Sequence, residues 1–598
     1  MIDLRPFVCV RARVSSCASA LLIVGAILVT TRAATAQALP AFTEVVVFGD
    51  SLSDVGNVRN RMESKYFIGY PGGDFNYSDG RFTNSSDTDP GSNRYVGVWH
   101  EQLARTFLKL PAARNSLDGG LNYAFGGATT KDGSTERTVI SNPDPFIGGS
   151  SGITIDNMGR QVDRYLNQQT VDPGALYVVW GGGNDLFDDS RSSNVADTSA
   201  QVVGLINRLA AAGARHFLVP NVPPLGGVPL YADNPEKQVS LNRASSSYRN
   251  RLNTGLDAAA ASFAQQGIGI TLYRVDVWSL FVRFAADPPS YGFANTGRSV
   301  QGDSSADVDK YAFWDTIHPT TAAHFQIAQA AARALSGPIV APARAVNVSS
   351  RVAVGEGDNV GIGGFIITGN APKKVLVRGL GGSLSSAGVP GVLIDPQLAL
   401  FDSNGSLIRK NDDWESSQGA EIIAANLAPS DRLESALIET LAPGSYTAIV
   451  SGVNSSSGVG LVEVYDLELG ADANLANLST RGFVGTGDNV LIGGLVIAEG
   501  DNPIMVLRAI GPSLATAGVA NPLNDPVLEL FDASGTLIAR NDNWKDGQPI
   551  AAKATLLNPA DDRESTIVIS LRPGSYTAIV RGKGNTTGVA LVEAFRIP

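Results

Sequence analysis

Five short apolar runs, four of them breaking off into a polar turn rich in glycine or proline, constrain the first half of this chain more than any other feature. The run 44–48 (Glu-Val-Val-Val-Phe) stops at Gly49, and the run 121–129 carries the pair Gly126-Gly127. The run 175–180 ends in Gly181-Gly182-Gly183-Asn184-Asp185, 216–220 passes into Asn221-Val222-Pro223-Pro224-Leu225-Gly226, and 268–273 is the fifth. Runs of this length, rich in β-branched and aromatic residues and bounded by turn residues, read as fully buried strands. Helical stretches are expected over about 199–212, 236–266 and 320–336. Strands alternating with helices predict a parallel sheet covered on both faces. The polar turns fall at the carboxyl ends of the strands, where open α/β sheets bind ligands. Between the first two strands lies a long polar region that includes Ser78-Asp79-Gly80-Arg81-Phe82-Thr83-Asn84 and a helix start near Val98-Trp99-His100. Residues 130–160 read as a surface loop.

The turn after the first strand carries Gly49-Asp50-Ser51-Leu52-Ser53-Asp54-Val55-Gly56-Asn57. Ser51 is placed at the mouth of the sheet, with a helix expected to open behind it. Backbone N–H groups at such a helix start stabilise an oxyanion. A serine at a strand-to-helix turn is by itself an ordinary cap, so its meaning depends on partners elsewhere. The chain has four histidines. His100 and His324 read as helix residues and His216 as a strand start. His318 sits in Trp314-Asp315-Thr316-Ile317-His318-Pro319, where a turn places Asp315 beside its ring. Asp50, Asp54, Asn57 and Asp185 are expected to shape turns.

Four blocks now stand in order: Gly49–Asn57, then Asn122-Tyr123-Ala124-Phe125-Gly126-Gly127-Ala128, then Gly182-Gly183-Asn184-Asp185, then Asp315-Thr316-Ile317-His318-Pro319. Together they resemble the GDSL family of serine esterases and lipases, also called SGNH hydrolases, over roughly residues 44–338. Residues 79–84 and 221–226 are similar to the lipase-like branch of that family. The resemblance implies a flavodoxin-like three-layer α/β fold. It implies that Ser51 is the nucleophile, that His318 takes and returns its proton, and that Asp315 orients the ring. It also implies an oxyanion hole built from the Ser51 N–H, the Gly127 N–H and the Asn184 side-chain amide. Such a mechanism requires no cofactor and no metal, and no His/carboxylate cluster with ligand spacing is apparent.

Residues 1–36 read as a secretory signal. Arg5, Arg11 and Arg13 precede an apolar stretch from Ala18 to Val29, and Ala34-Thr35-Ala36 supplies a small-residue cleavage pattern. Cleavage there takes the formal net charge from −11 to −14, because four arginines and one aspartate leave with the segment. The acidic balance argues against a nucleic-acid partner. Both cysteines, Cys9 and Cys17, lie in the signal. The mature chain is therefore expected to have no disulfide, no thiolate nucleophile, no cysteine metal site and no transmembrane segment.

Beyond about residue 345 the chain is a duplication. Arg351-Val-Ala-Val-Gly-Glu-Gly-Asp-Asn-Val recurs as Arg481-Gly-Phe-Val-Gly-Thr-Gly-Asp-Asn-Val, Asn411-Asp412-Asp413-Trp414 as Asn541-Asp542-Asn543-Trp544, and Gly444-Ser-Tyr-Thr-Ala-Ile-Val as Gly574-Ser-Tyr-Thr-Ala-Ile-Val. Short alternating strands with Gly/Asn/Asp turns predict two all-β, sandwich-like repeats. An outer-membrane barrel calls for aromatic girdles, and residues 341–598 contain only ten Phe, Tyr and Trp. Trp414 and Trp544 are candidates for stacking on a surface polymer or glycan, or for core anchors. Asp412, Asp413 and Asp542 form turns or hold Ca²⁺.

The expected organisation is a signal over 1–36, a hydrolase domain over 40–338, and β-repeats over 345–470 and 471–598. The expected activity is hydrolysis of lipid or acyl esters by a secreted or surface-held serine hydrolase. Two alternatives stand beside it. One is a polysaccharide O-deacetylase whose repeats hold the polymer. The other is a surface adhesion protein in which the hydrolase domain is incidental. The oligomeric state is left open.

Overall fold

A computed structural model of the chain describes residues 39–73, 76–85, 95–140, 151–337, 344–498 and 500–597. The expected signal segment lies outside the described residues. The chain divides into two compact units, the first within residues 39–337 and the second made of most of 344–597.

The first unit runs β1 (Val45–Gly49), α1 (Asn57–Tyr66), α2 (Trp99–Gln102), β2 (Ser134–Ile140), β3 (Ser151–Asp156), α3 (Met158–Gln168), β4 (Leu176–Trp180), α4 (Gly183–Asp188), α5 (Ser192–Ala211), β5 (His216–Pro220), α6 (Pro235–Gln265), β6 (Thr271–Val275), α7 (Val277–Ala286), β7 (Asn295–Ser299), β8 (Tyr311–Phe313) and α8 (Thr321–Leu335). Strands β1, β4, β5 and β6 lie side by side in that order, all parallel. Both faces are covered, and the strand period of two sorts the side chains. Val45, Val47, Leu176, Val178 and Leu218 pack toward α7 and α8, whereas Val46, Phe48, Tyr177, Val179 and Phe217 pack toward α3, α5 and α6. This is the expected three-layer α/β arrangement.

The run 121–129 is less regular than expected. It reaches β1 through Val47 N–H to Leu121 O, Tyr123 N–H to Val47 O and Phe125 N–H to Gly49 O, but only Asn122 forms a bridge. The cause lies in side chains: Asn57 Nδ2 donates to both Asn122 O and Ala124 O, and Asn122 Oδ1 accepts from Ala124 N. These bonds hold the run against the serine turn, while Ser116 N–H to Asn122 O and Asn122 N–H to Arg114 O tie its other side to a second segment through a single bridge at Asn115. Residues 130–160 are not all loop either, since β2 and β3 form an antiparallel hairpin whose connection lies outside the described residues. The fifth strand begins at Thr271, three residues later than expected, because the Ile268 N–H closes the end of α6 on Phe263 O at 2.9 Å.

In the second unit the first copy forms β9 (Ala345–Val354), β10 (Gly361–Gly369), β11 (Lys373–Leu380), β12 (Pro396–Phe401), β13 (Leu407–Asn411), β14 (Ser435–Leu441), β15 (Gly444–Gly452) and β16 (Gly458–Asp466). The second copy forms β17 (Ala473–Val484), β18 (Leu491–Ile497), β19 (Ile504–Ile510), β20 (Pro526–Asp532), β21 (Leu537–Asn541), β22 (Ser565–Ser570), β23 (Gly574–Gly582) and β24 (Gly588–Ile597). The copies are knitted together. Strand β9 pairs with β16 of its own copy and with β18 of the other, and β17 pairs with β24 of its own copy and with β10 of the other. One apolar core runs through both, from Val348 and Leu398 to Leu528 and Val592.

Trp414 and Trp544 are 7% and 4% exposed. Trp414 packs with Leu376, Ile422 and Ile438, and its Nε1 donates to Asp431 O at 3.1 Å. The stacking role considered for these two residues is therefore replaced by a core role. Asp542 is paired with Lys583 Nζ at 2.9 Å.

Candidate active site

The site begins where β1 ends. Gly49 is locked by Gln161, whose Oε1 accepts its N–H (2.9 Å) and whose Nε2 donates to its carbonyl (2.8 Å). The chain then turns sharply: Asp50 O accepts the N–H groups of Ser53 and Asp54, and Asp50 Oδ1 accepts that of Leu52. Ser51 is carried at the crest of this turn. Helix α1 starts six residues further on, at Asn57, so Ser51 is presented by a tight turn and not by the helix start expected from the sequence.

Asp54 organises what lies behind Ser51. It is fully buried, and its carboxylate accepts Gly56 N–H and Asn57 N–H on Oδ1, and Val58 N–H and Gly126 N–H on Oδ2. The expectation that Asp54 and Asn57 shape turns agrees with these contacts. Burial pushes the carboxyls of Asp50 and Asp54 up to about 6, against the pull of their N–H donors. Asp185 is also buried, accepts from the Thr130 N–H and hydroxyl, and is raised by burial.

His318 lies in the turn between β8 and α8. Its Nδ1 donates to Asp315 Oδ2 at 2.6 Å, and its Nε2 accepts from the Ser51 hydroxyl at 2.9 Å. Nδ1 faces a carboxylate that carries two further N–H donors on Oδ1, from Ile317 and His318, so the proton belongs on Nδ1 and leaves Nε2 free to accept. Burial alone would raise the Asp315 carboxyl. The adjacent His318 ring, the Ile317 N–H and the Tyr77 hydroxyl outweigh it and hold Asp315 well below the usual carboxylate range. Three residues separated by up to 267 positions in sequence thus form one hydrogen-bonded row.

The loop after residue 121 is tied to the serine turn through Phe125 N–H to Gly49 O and Gly126 N–H to Asp54 Oδ2. The Gly126 N–H is committed to Asp54. Gly127 has φ +80°, a left-handed conformation that favours glycine. Among the described residues, neither the Gly127 N–H nor the Ser51 N–H has another acceptor. Asn184, at the start of α4, gives one amide hydrogen to Ala128 O at 2.9 Å. Its amide group retains a second hydrogen. Ser51, Asn184 and His318 all line one cleft. Its remaining wall is mostly apolar and includes Leu52, Phe187, Val228, Phe281 and Phe313.

Tyr77 and Phe82 also touch this hydrogen-bonded row, and the sequence had not singled them out. Their segment stood out only through its likeness to the lipase-like branch, and nothing in local spacing tied it to residues 315–318. Among the described residues no group of three or more His, Cys, Asp or Glu side chains is arranged to hold a metal ion.

Ser51 in the turn beyond the first strand of a parallel sheet, taken with the similarities that follow, makes this unit a carboxylic ester hydrolase. Residues 45–331 match the GDSL-like Lipase/Acylhydrolase family. Phosphatidylcholine-sterol acyltransferase of Aeromonas hydrophila is 26% identical over 363 residues, which cover 52% of this chain and 94% of that protein. The thermolabile hemolysin of Vibrio parahaemolyticus is 26% identical over 309 residues, covering 48% of this chain and 62% of that one. A solved lipolytic protein of the G-D-S-L family from Veillonella parvula is 14% identical, covers 48% of this chain and 95% of that one, and has a TM-score of 0.25. No helix among the described residues is long and apolar enough to cross a membrane.

Proposed function

We propose that residues 40–338 hydrolyse lipid or other acyl esters through a Ser51–His318–Asp315 triad and an acyl-enzyme. The observation that carries this reading is the pair of hydrogen bonds on His318, 2.9 Å to Ser51 Oγ and 2.6 Å to Asp315 Oδ2. The Ser51 oxygen attacks the ester carbonyl carbon as its proton passes to His318 Nε2. The carbonyl oxygen becomes an oxyanion, held by the Ser51 N–H, the Gly127 N–H and the free amide hydrogen of Asn184. Each such donor is worth ~10²–10³ in rate. Collapse breaks the bond to the alcohol oxygen, which leaves with the proton from Nε2. Water then attacks the acyl-serine, its proton passing to Nε2, and collapse returns the proton to Ser51 Oγ and releases the carboxylic acid. Asp315 stays ionised throughout and carries no proton away.

The apolar wall of the cleft favours an acyl chain over acetate, and so favours this reading over a polysaccharide deacetylase. The likeness to the Aeromonas acyltransferase supports an acyl ester as the substrate class and leaves transfer to an alcohol other than water as an outcome to be tested. The reading includes export, with residues 1–36 removed, and the two β-repeats, over 345–470 and 471–598, as appended modules.

The test is hydrolysis of p-nitrophenyl esters of two to sixteen carbons by the mature chain and its Ser51→Ala variant, with and without an added acceptor alcohol. Loss of up to ~10⁶ in kcat in the variant is expected. Equal activity in both proteins would overturn the assignment of the nucleophile, and a new ester formed with the added alcohol would make the enzyme a transferase.

A further inference from the structure

Three rings sit against the Asp315–His318 pair. Phe82 stacks on the His318 imidazole, with centroids 5.2 Å apart and planes at 29°. Tyr70 and Tyr77 meet Phe82 edge-on at 5.8 and 6.0 Å, and each other at 5.7 Å. The Tyr77 hydroxyl donates to Asp315 Oδ2 at 2.7 Å, the same oxygen that takes the His318 Nδ1–H.

The segment 77–84 is fastened to the histidine turn by its own side chains. Thr83 Oγ1 donates to Pro319 O at 2.9 Å. Asn84 bonds Thr321 twice, accepting its N–H at 2.7 Å and donating to its hydroxyl at 3.0 Å. Arg81 anchors the middle through two hydrogen bonds to the buried Glu101, at 2.7 and 2.8 Å. On the other side, Phe82 occupies space that only glycine leaves at position 126, since a Cβ there would come within 2.4 Å of its ring. The segment therefore connects three parts of the site: the histidine turn, the acid, and the loop that carries Gly127.

We propose that Tyr77 and Phe82 are positioning residues of the hydrolysis, acting through Asp315 and His318. Four donors surround the Asp315 carboxylate: two backbone N–H groups on Oδ1, and His318 Nδ1 and Tyr77 on Oδ2. The Tyr77 bond fixes the rotation of the carboxylate so that Oδ2 faces Nδ1. It also draws charge from that oxygen, which keeps the Nδ1 proton on the ring when Nε2 takes the serine proton. Phe82 holds the plane of the ring and covers one face against water. Its π-face favours the imidazolium that forms in the transition state. Neither residue touches the ester.

The inference rests on the triad proposed above, and the experiment separates the two. Tyr77→Phe, Phe82→Leu, Phe82→Tyr and His318→Ala are made in the full chain, and Tyr77→Phe is also combined with His318→Ala. Expected results are a fall of about ten- to a hundredfold in kcat for Tyr77→Phe and Phe82→Leu, the scale that ~1 Å of misplacement carries. KM and the melting temperature stay close to those of the parent, and Phe82→Tyr, which keeps the ring, recovers most of the rate. In the His318→Ala background Tyr77→Phe adds no further loss, because its route is gone. Parent-like kcat in Tyr77→Phe, or the same fold loss in both backgrounds, overturns the positioning role while leaving the triad standing. Parent-like activity in His318→Ala overturns the triad itself.

Discussion

Asp54 and Gly126 are joined by a 2.9 Å hydrogen bond across 72 residues of sequence, and it ties the serine turn to the loop that presents Gly127. Both halves of the proposed site, the Ser51 turn and the loop of Gly127, are thereby referred to one buried carboxylate. Asp54→Ala leaves four buried N–H groups without an acceptor, at about 1–3 kcal/mol for each donor left unpaired. The expected outcome is a loss of at least ~3 kcal/mol of stability in denaturant titration, partly relieved by relaxation. In whatever fraction stays folded, kcat is expected to fall. A variant with parent-like stability and rate would remove Asp54 from this role.

The two adjacent glycines make opposite predictions. A Cβ at Gly126 meets Phe82 Cε2 at 2.4 Å, whereas at Gly127 the nearest atom is Arg137 Cγ at 3.6 Å. Gly127→Ala has room and bears only the strain of a left-handed residue, about 1–2 kcal/mol. Gly126→Ala must displace the ring that stacks on His318. Thermal melts and kcat for the pair should therefore rank Gly126→Ala as the more damaging in rate. Equal losses, or the reverse order, would show that the Phe82 ring is not held by this contact.

How much of this was legible in the sequence follows from how local each signal is. Ser51 is marked by its own block, and Asp315 and His318 lie three residues apart in one turn, so both ends of the row could be read. The buried strands could be read because each is a compact apolar run. Tyr77 could not, because its partner lies 238 residues away and no spacing rule links a polar loop to it. The run 121–129 looked like a full strand because its composition says so. Only tertiary contacts, from Asn57 on one side and from residues 114–116 on the other, reveal that its pairing stops at single bridges. The hairpin of β2 and β3 was hidden by its own polarity: Ser134, Thr135, Glu136, Arg137 and Thr138 alternate no apolar face. The knitting of β9 and β17 across the copies was hidden for another reason, since two equal sequences satisfy the same pairing pattern within a copy or between copies.

The cleft should read acyl length as a gradient. Burying one CH₂ contributes about 0.8 kcal/mol, or roughly fourfold in kcat/KM. For p-nitrophenyl esters, kcat/KM is expected to climb by about this factor per carbon over the first few carbons and then to level as the wall of Phe187, Val228 and Phe281 is used up. Phe187→Ser puts a hydroxyl at that wall and should flatten the climb. A profile that falls from acetate onward in the parent protein would favour the deacetylase instead.

Two buried imidazoles give the fold an acid dependence. Burial pushes His100 down to about 4 and His324 down to about 3, against about 6.5 in an unfolded chain. Each ring is neutral when folded and takes a proton when unfolded. The stability this provides is complete above pH 6.5 and is lost as pH falls toward 4 and 3. At pH 5 each ring has cost about 2 kcal/mol. Asp50 and Asp54, raised to about 6 by burial, have the opposite sign: their contribution is complete below the unfolded value and is lost as pH rises through 6. The net curve mixes both, so the test is a difference. Relative to the parent, His100→Gln should gain about 2 kcal/mol between pH 7 and pH 5. A difference that does not change with pH would mean that His100 is not held neutral.

The exchange of first strands predicts that the β-repeats unfold together. Strand β9 is a central strand, paired with β16 on one side and β18 on the other, and nearly all its residues are buried. Val352, at 1% exposure, lies against Gly361 of its own copy and Gly482 of the other, its methyl carbons 3.0 and 2.0 Å from where Cβ atoms on those glycines would stand. A charge placed there has no partner in either copy. Val352→Asp is therefore expected to cost more than about 4 kcal/mol. Because β9 and β17 each bond to both copies, the loss should spread through the whole unit in one cooperative step. Hydrogen exchange followed by mass spectrometry in the full chain makes the distinction. Loss of protection in β10 and β16 together with β18 and β24 supports one cooperative unit. Loss confined to residues 345–466, with β19, β22 and β24 still protected, would mean that the second copy stands by itself.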